Sequence, residues 1–148
     1  MSMEFGNRIL GIDYGERRLG IAISDDTNTI ATPLDHITNN HEVFDTVKSI
    51  ITKYNVRTIV VGLPINLDGS HSKSAKIVNN FCKQIKKKLN ITVHMIDERL
   101  SSIEAENKLR ESGKTPSRYR SLDRGIIDSA AAAIILESFI NKEREQII

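Results

Sequence analysis

With 148 residues, 39% of them hydrophobic, the chain is long enough to bury one core and too short for two, so a single domain over residues 1–148 is expected. Charged residues make up 27% but the net charge is only +2, which excludes a global cationic field as the source of any affinity for nucleic acid and leaves local clustering. A single cysteine excludes an internal disulfide; the opening Met-Ser-Met-Glu-Phe-Gly shows neither a basic segment nor an apolar run of secretory length, and no later run is long enough to span a bilayer, so a soluble, cytoplasmic protein with no membrane partner is expected.

The chain opens on three strands, at about 8–14, 19–24 and 29–37, with turn signals at Gly15 and at Asp25-Asp26-Thr27-Asn28. Val43, Val47, Ile50, Ile51 and Tyr54 then follow helical spacing after a Thr38-Asn39-Asn40 start signal. Residues 57–63 read as a short strand whose apolar run from Ile59 is of the kind found centrally in a parallel arrangement. A second helix carries Ala75, Val78, Phe81, Cys82, Ile85 and Leu89 on one stripe, with Lys83, Lys86, Lys87 and Lys88 mostly off it, so Cys82 reads as a small core residue. A fifth strand spans about 91–96, and Ser101-Ser102-Ile103-Glu104 has the spacing of a capping box that opens a third helix ending near Gly113. Residues 112–124 lose the apolar period and read as a loop; a closing helix begins near Asp123 or Gly125 and carries Ile127, Ala130, Ala131, Ile134, Ile135 and Phe139. This order implies an α/β fold whose mixed sheet has antiparallel opening hairpins and later parallel strands, flanked by helices.

Three carboxylates stand where backbone constraint is strongest. Asp13 ends the first strand at a tight hairpin, which would fix it at an edge of the sheet without the slack of a long loop. Glu98 lies just past the fifth strand in Asp97-Glu98-Arg99, and Asp128 is placed on the alanine-rich closing helix, where Ala131, Ala132 and Ile135 share its face. Each has a plainer explanation: turn hydrogen bonds for Asp13, an exposed ion pair for Glu98, the amino-terminal helix dipole for Asp128. Together they suit divalent cations, which offset both the desolvation and the mutual repulsion of clustered acids. Oxygen ligands favour Mg2+ or Mn2+, and the scattered His36, His41, His71 and His94 offer zinc no site. Two such ions about 4 Å apart would activate a water and stabilise the leaving oxygen of a phosphodiester.

A basic run made of Lys108, Arg110, Lys114, Arg118, Arg120 and Arg124 has Tyr119 in its middle, the pattern of a surface that meets phosphates and stacks on an unpaired base. An ordinary solvated loop has the same composition. Arg17 and Arg18 add charge at the hairpin beside Asp13.

Four motifs, in order, carry a resemblance over nearly the whole chain: Gly11-Ile12-Asp13-Tyr14-Gly15 with Gly20-Ile21-Ala22-Ile23-Ser24-Asp25; Val60-Val61-Gly62-Leu63-Pro64 with Asp68-Gly69; Asp97-Glu98-Arg99-Leu100-Ser101-Ser102; and Asp128-Ser129-Ala130-Ala131. The sequence resembles the YqgF (RuvX) family of Holliday junction resolvase-like proteins, also regarded as pre-16S rRNA nucleases. The resemblance implies a ribonuclease H-like fold, with a five-stranded mixed sheet flanked by helices. It also implies a hydrolase that matures the 5′ end of small-subunit ribosomal RNA and has Asp13, Glu98 and Asp128 as its catalytic and metal-binding acids. Serines at 101 and 102 replace the threonines usual in that motif. Ribonuclease H-like enzymes commonly carry an acid at the end of the fourth strand, where this chain has Gly62-Leu63-Pro64, so Glu98 must serve from the next strand. Pre-rRNA is the implied substrate and branched DNA the alternative, with ribosome-assembly factors as further partners. A non-catalytic binding module stays open as a rival. A nucleotide-binding fold of the actin and sugar-kinase type, which opens on a similar hairpin, needs two lobes and a longer chain.

Overall fold

The structure, a computed structural model, describes residues 7–64, 68–97 and 129–147. Their elements follow in the order β1 (Arg8–Asp13), β2 (Arg18–Ser24), β3 (Ala31–Thr38), α1 (Val43–Tyr54), β4 (Val56–Leu63), α2 (Lys73–Leu89), β5 (Thr92–Asp97) and α3 (Ala130–Ile147). The expected helix from Ser101, the loop over 112–124 and the opening of the last helix near Asp123 or Gly125 lie outside the described residues.

Among the described residues the strands form one five-stranded mixed sheet in the order β3-β2-β1-β4-β5. The two opening hairpins are antiparallel, and β4 runs parallel to both β1 and β5, as expected. The two crossovers are short because each helix stops abruptly. Asn55 and Asn90 take left-handed conformations, at φ 56° and 50°, and their N–H groups close back onto Ile51 and Lys86. Asparagine tolerates that region better than most side chains, so the chain reverses within a residue or two and enters the next strand. No helix among the described residues is long and apolar enough to cross a membrane.

Strand alternation sorts the sheet's side chains onto two faces. Leu10, Ile12, Leu19, Ile21, Ile59 and Val61 pack with Val47 of α1 and with Val78, Phe81, Cys82 and Ile85 of α2. The opposite face packs Ile9, Ala22, Ala31, Val60 and Ile96 against Ala132, Ala133, Leu136 and Ile140 of α3. Cys82 is buried in the first of these layers, and burial pushes its thiol up to about 11, so it is a neutral core residue at physiological pH.

Two expectations need correction. β1 is the central strand, so Asp13 stands at the carboxyl end of the middle of the sheet and not at an edge. Ala131 is exposed, whereas Ala132, Ala133, Ile135 and Leu136 are buried, so the inward face of α3 is rotated from the one expected.

Candidate active site

Asp13 ends the central strand, between the α1/α2 layer on one face of the sheet and α3 on the other. Its neighbours in the chain, Ile12 and Tyr14, belong to the α1/α2 layer, where the Tyr14 ring meets Phe81 of α2 with centroids 4.8 Å apart. Alternation therefore turns Gly11 and Asp13 toward α3. The turn that follows tolerates only glycine at Gly15, because a Cβ there would sit 2.5 Å from the Arg18 carbonyl oxygen. Asn39, just past β3, locks the same turn: its Nδ2 donates to the Gly15 carbonyl at 2.8 Å and its N–H to the Arg17 carbonyl at 2.9 Å. The expected role of Asn39 as part of a helix start signal is thus replaced by a role in the hairpin, and Asn40 takes the helix-side contact, accepting from Glu42 N–H.

The start of α3 is fixed to the same end of the sheet. The β2–β3 ladder is irregular between Leu19 and Ile21, and there Ile21 N–H donates to Ser129 Oγ at 2.9 Å in a fully buried contact. Ile21 pairs with Ile12, the residue before Asp13, so Ser129 is tied to the strand pair that carries Asp13. α3 lies close because the facing positions are small: a Cβ on Gly11 would come within 2.9 Å of both the Ala132 carbonyl oxygen and Leu136 Cβ. Ser129 and Asn39 were not singled out by sequence as site-forming residues. For Ser129 the available signal was its place directly after Asp128. Removing the Ser129 hydroxyl would strand a buried N–H, a cost of about 1–3 kcal/mol. Ser129→Ala should therefore lower the melting temperature by several degrees, read by circular dichroism.

The electrostatics at Asp13 suit a cation. The side chain is half-buried, and burial pushes its carboxyl above the usual carboxylate range. Among the described residues no hydrogen bond or ion pair offsets that cost. The position beside it across the β1–β4 ladder carries no acid: Ile12 pairs with Val61, and the next residue of β4 is Gly62. Gly62 in turn pairs with Ile96 and Leu63 with Asp97, the last residue of β5. Glu98 and Asp128 lie outside the described residues, each one peptide bond from a described residue, Asp97 and Ser129 respectively. Among the described residues no group of three His, Cys, Asp or Glu is placed to hold an ion. The histidines are dispersed as expected: His36 on β3, His41 beside Glu42 before α1, His71 before α2, and His94 against Phe139.

Of the expected basic contacts, Arg17 and Arg18 are exposed on the hairpin at the Asp13 end of the sheet. Lys114, Arg118, Tyr119, Arg120 and Arg124 lie outside the described residues.

Comparison with known proteins bears on this arrangement. A family model described as "RuvX: Holliday junction resolvase" matches residues 7–142. Relatives named "Putative pre-16S rRNA nuclease" include one from Halothermothrix orenii, 39% identical over 140 residues that make up 93% of this chain and 97% of its own. Another with that name, from Synechocystis, is 37% identical over 93% of this chain and 90% of its own. Among solved structures, RuvC of Thermus thermophilus in complex with a Holliday junction substrate superposes with a TM-score of 0.58 at 12% identity, covering 93% of this chain and 96% of that one. The Holliday junction resolvase of fowlpox virus gives a TM-score of 0.52 at 15% identity, over 91% and 99%. At such identities the likeness is one of fold, and the fold is ribonuclease H-like.

Proposed function

The chain belongs to the RuvX family, and from that premise we propose that it is a divalent-metal-dependent endonuclease of RNA, a single cytoplasmic nuclease domain that processes the 5′ end of pre-16S rRNA during ribosome biogenesis. The observation that carries this reading is the half-buried carboxylate of Asp13, desolvated and without a partner among the described residues, beside the anchored start of α3. Asp13, Glu98 and Asp128 are the acids that would hold Mg2+ or Mn2+, in a set of oxygen ligands suited to either ion. Bound there as a pair, such cations supply Lewis acidity toward a water and toward the leaving oxygen of a phosphodiester.

The chain's own residues do the positioning. The Gly15 turn and its Asn39 clamp hold Asp13 at the end of a buried strand, so the carboxylate is preorganised before substrate arrives. Arg17 and Arg18, exposed at the same end, receive a substrate phosphate. Lys114, Arg118, Arg120 and Arg124 would contact further phosphates, and Tyr119 would stack on an unpaired base. Ribosome-assembly factors are the partners that would present such a substrate. A second reading, cleavage of branched DNA, draws on the family's description as a Holliday junction resolvase.

The test is an incubation of the purified chain with RNA spanning the 5′ boundary of 16S rRNA. Cleavage should appear in Mg2+ or Mn2+, stop in EDTA and return on metal add-back. Cutting confined to four-way DNA junctions would establish the second reading, and cutting of neither substrate would leave a binding module.

A further inference from the structure

We propose that the outer face of α2 is a second phosphate-binding track, which holds the backbone of a nucleic acid extending beyond the cleavage site. The proposal rests on the nucleic-acid reading above and concerns residues which that reading does not use. Lys73, Lys76, Lys83, Lys86, Lys87 and Lys88 give this helix six positive charges and no negative one, and all six are exposed. Fifteen of the 21 Lys and Arg and all 19 Asp and Glu lie elsewhere, so the rest of the chain carries a net −4. On this one helix six cations stand with no acid among them, a local field that the chain's net charge of +2 conceals.

The arrangement on the helix is directional. Taking about 100° per residue, Lys73, Lys76, Lys83 and Lys87 cluster on the side opposite buried Val78, Cys82 and Ile85, with Lys86 and Lys88 flanking that cluster. Lys88 reaches toward α1, its Nζ 4.3 Å from the centre of the Phe44 ring. Along the axis the set spans about 22 Å. α2 starts after the carboxyl end of β4, which runs parallel to β1, so Lys73 and Lys76 lie toward the end of the sheet that bears Asp13 and the other lysines lead away from it.

A solvated helix surface does not account for this. Lysines in the last turn favour the helix dipole, but Lys73 in the first turn opposes it, and no acid accompanies it there. The other described helices follow the ordinary pattern: α1 has Asp45 in its first turn and Lys53 in its last, and the sequence at the end of α3 alternates sign through Lys142, Glu143, Arg144 and Glu145. None of the six α2 lysines pairs with a carboxylate among the described residues. Six like charges within a few helical turns repel one another, and a polyanion that releases its counterions to them removes that cost.

The triple variant Lys76→Gln/Lys83→Gln/Lys87→Gln tests the proposal on the full chain, with a 30-nucleotide RNA as probe. Glutamine has nearly the helix propensity of lysine, so the melting curve should be unchanged. The slope of log affinity against log salt should fall by about 2, on the basis of roughly 0.7 per lost contact with a single strand. The corresponding Lys→Arg triple should keep the wild-type slope. A slope that survives the glutamine substitutions overturns the proposal, as does loss of binding to polyglutamate alone, which would mark the face as a contact for an acidic protein. Wild-type protein that binds neither RNA nor DNA overturns both this proposal and the function on which it rests.

Discussion

Asp13→Asn should abolish RNA cleavage and yet raise the melting temperature of the metal-free protein at neutral pH. The two effects have one source. Burial pushes the Asp13 carboxyl up, so folding favours its protonated form. Stability from such a group is fully present below its unfolded pKa, about 3.9, and is lost as pH rises through the higher folded value. At neutral pH the wild type therefore bears the cost of a desolvated charge, and asparagine, neutral at every pH, does not. The advantage of the variant should vanish in acid and grow as pH climbs out of the carboxylate range. Metal reverses the ranking. A ligand at a hundred times its dissociation constant stabilises the folded state by about 2.7 kcal/mol, so Mg2+ or Mn2+ should raise the wild-type melting temperature and leave Asp13→Asn nearly unmoved. Asparagine keeps the shape of the acid and removes its charge, so a folded, inactive variant separates chemistry from stability. Equal metal responses in the two proteins, or undiminished cleavage by the variant, would remove Asp13 from the metal site.

What was legible in the sequence, and what was not, follows from the range of the forces involved. The five strands of the sheet and the first two helices were readable because each carries a local signature: alternation, a continuous apolar run between turn signals, or a 3.6-residue period. Asp13 was readable because a strand, an acid and a glycine turn are consecutive in the chain. Strand order was not, because it depends on which strands pair at a distance, and so Asp13 was expected at an edge while β1 took the centre. The inward face of α3 was missed at Ala131 because four consecutive alanines, Ala130 to Ala133, give no contrast from which a face can be read. The Ser129 contact to Ile21 joins residues 108 apart and arises at an irregularity in a ladder, which no local pattern encodes. Asn39 was legible as a polar punctuation mark, but its partner, the Gly15 carbonyl, lies 24 residues away.

Gly11→Val should be the most destabilising single change in the sheet, and local preference points the other way. Valine is a far better strand former than glycine, and relieving a strand-interior glycine is itself favourable by about 0.5–1 kcal/mol. Packing opposes this and wins. A Cβ on Gly11 would lie 2.9 Å from the Ala132 carbonyl oxygen and 2.9 Å from Leu136 Cβ, and the first of these is helix backbone with no rotamer to yield. One such intrusion costs about 1–3 kcal/mol, so Gly11→Ala should already lower the melting temperature by a few degrees. The two further methyl groups of valine would have to displace α3 as a whole. That displacement reaches the site, because the start of α3 is held to Ile21 by a single hydroxyl, that of Ser129, and the residue before Ser129 is Asp128. The expected result is a melting temperature at least 10 °C below wild type for Gly11→Val, on the basis of roughly 2–4 °C per kcal/mol, together with a weakened response to Mg2+ or Mn2+. A Gly11→Ala protein more stable than wild type would show that α3 does not seat on the central strand at this distance, and the anchoring of the start of α3 at the Asp13 end of the sheet would fall with it.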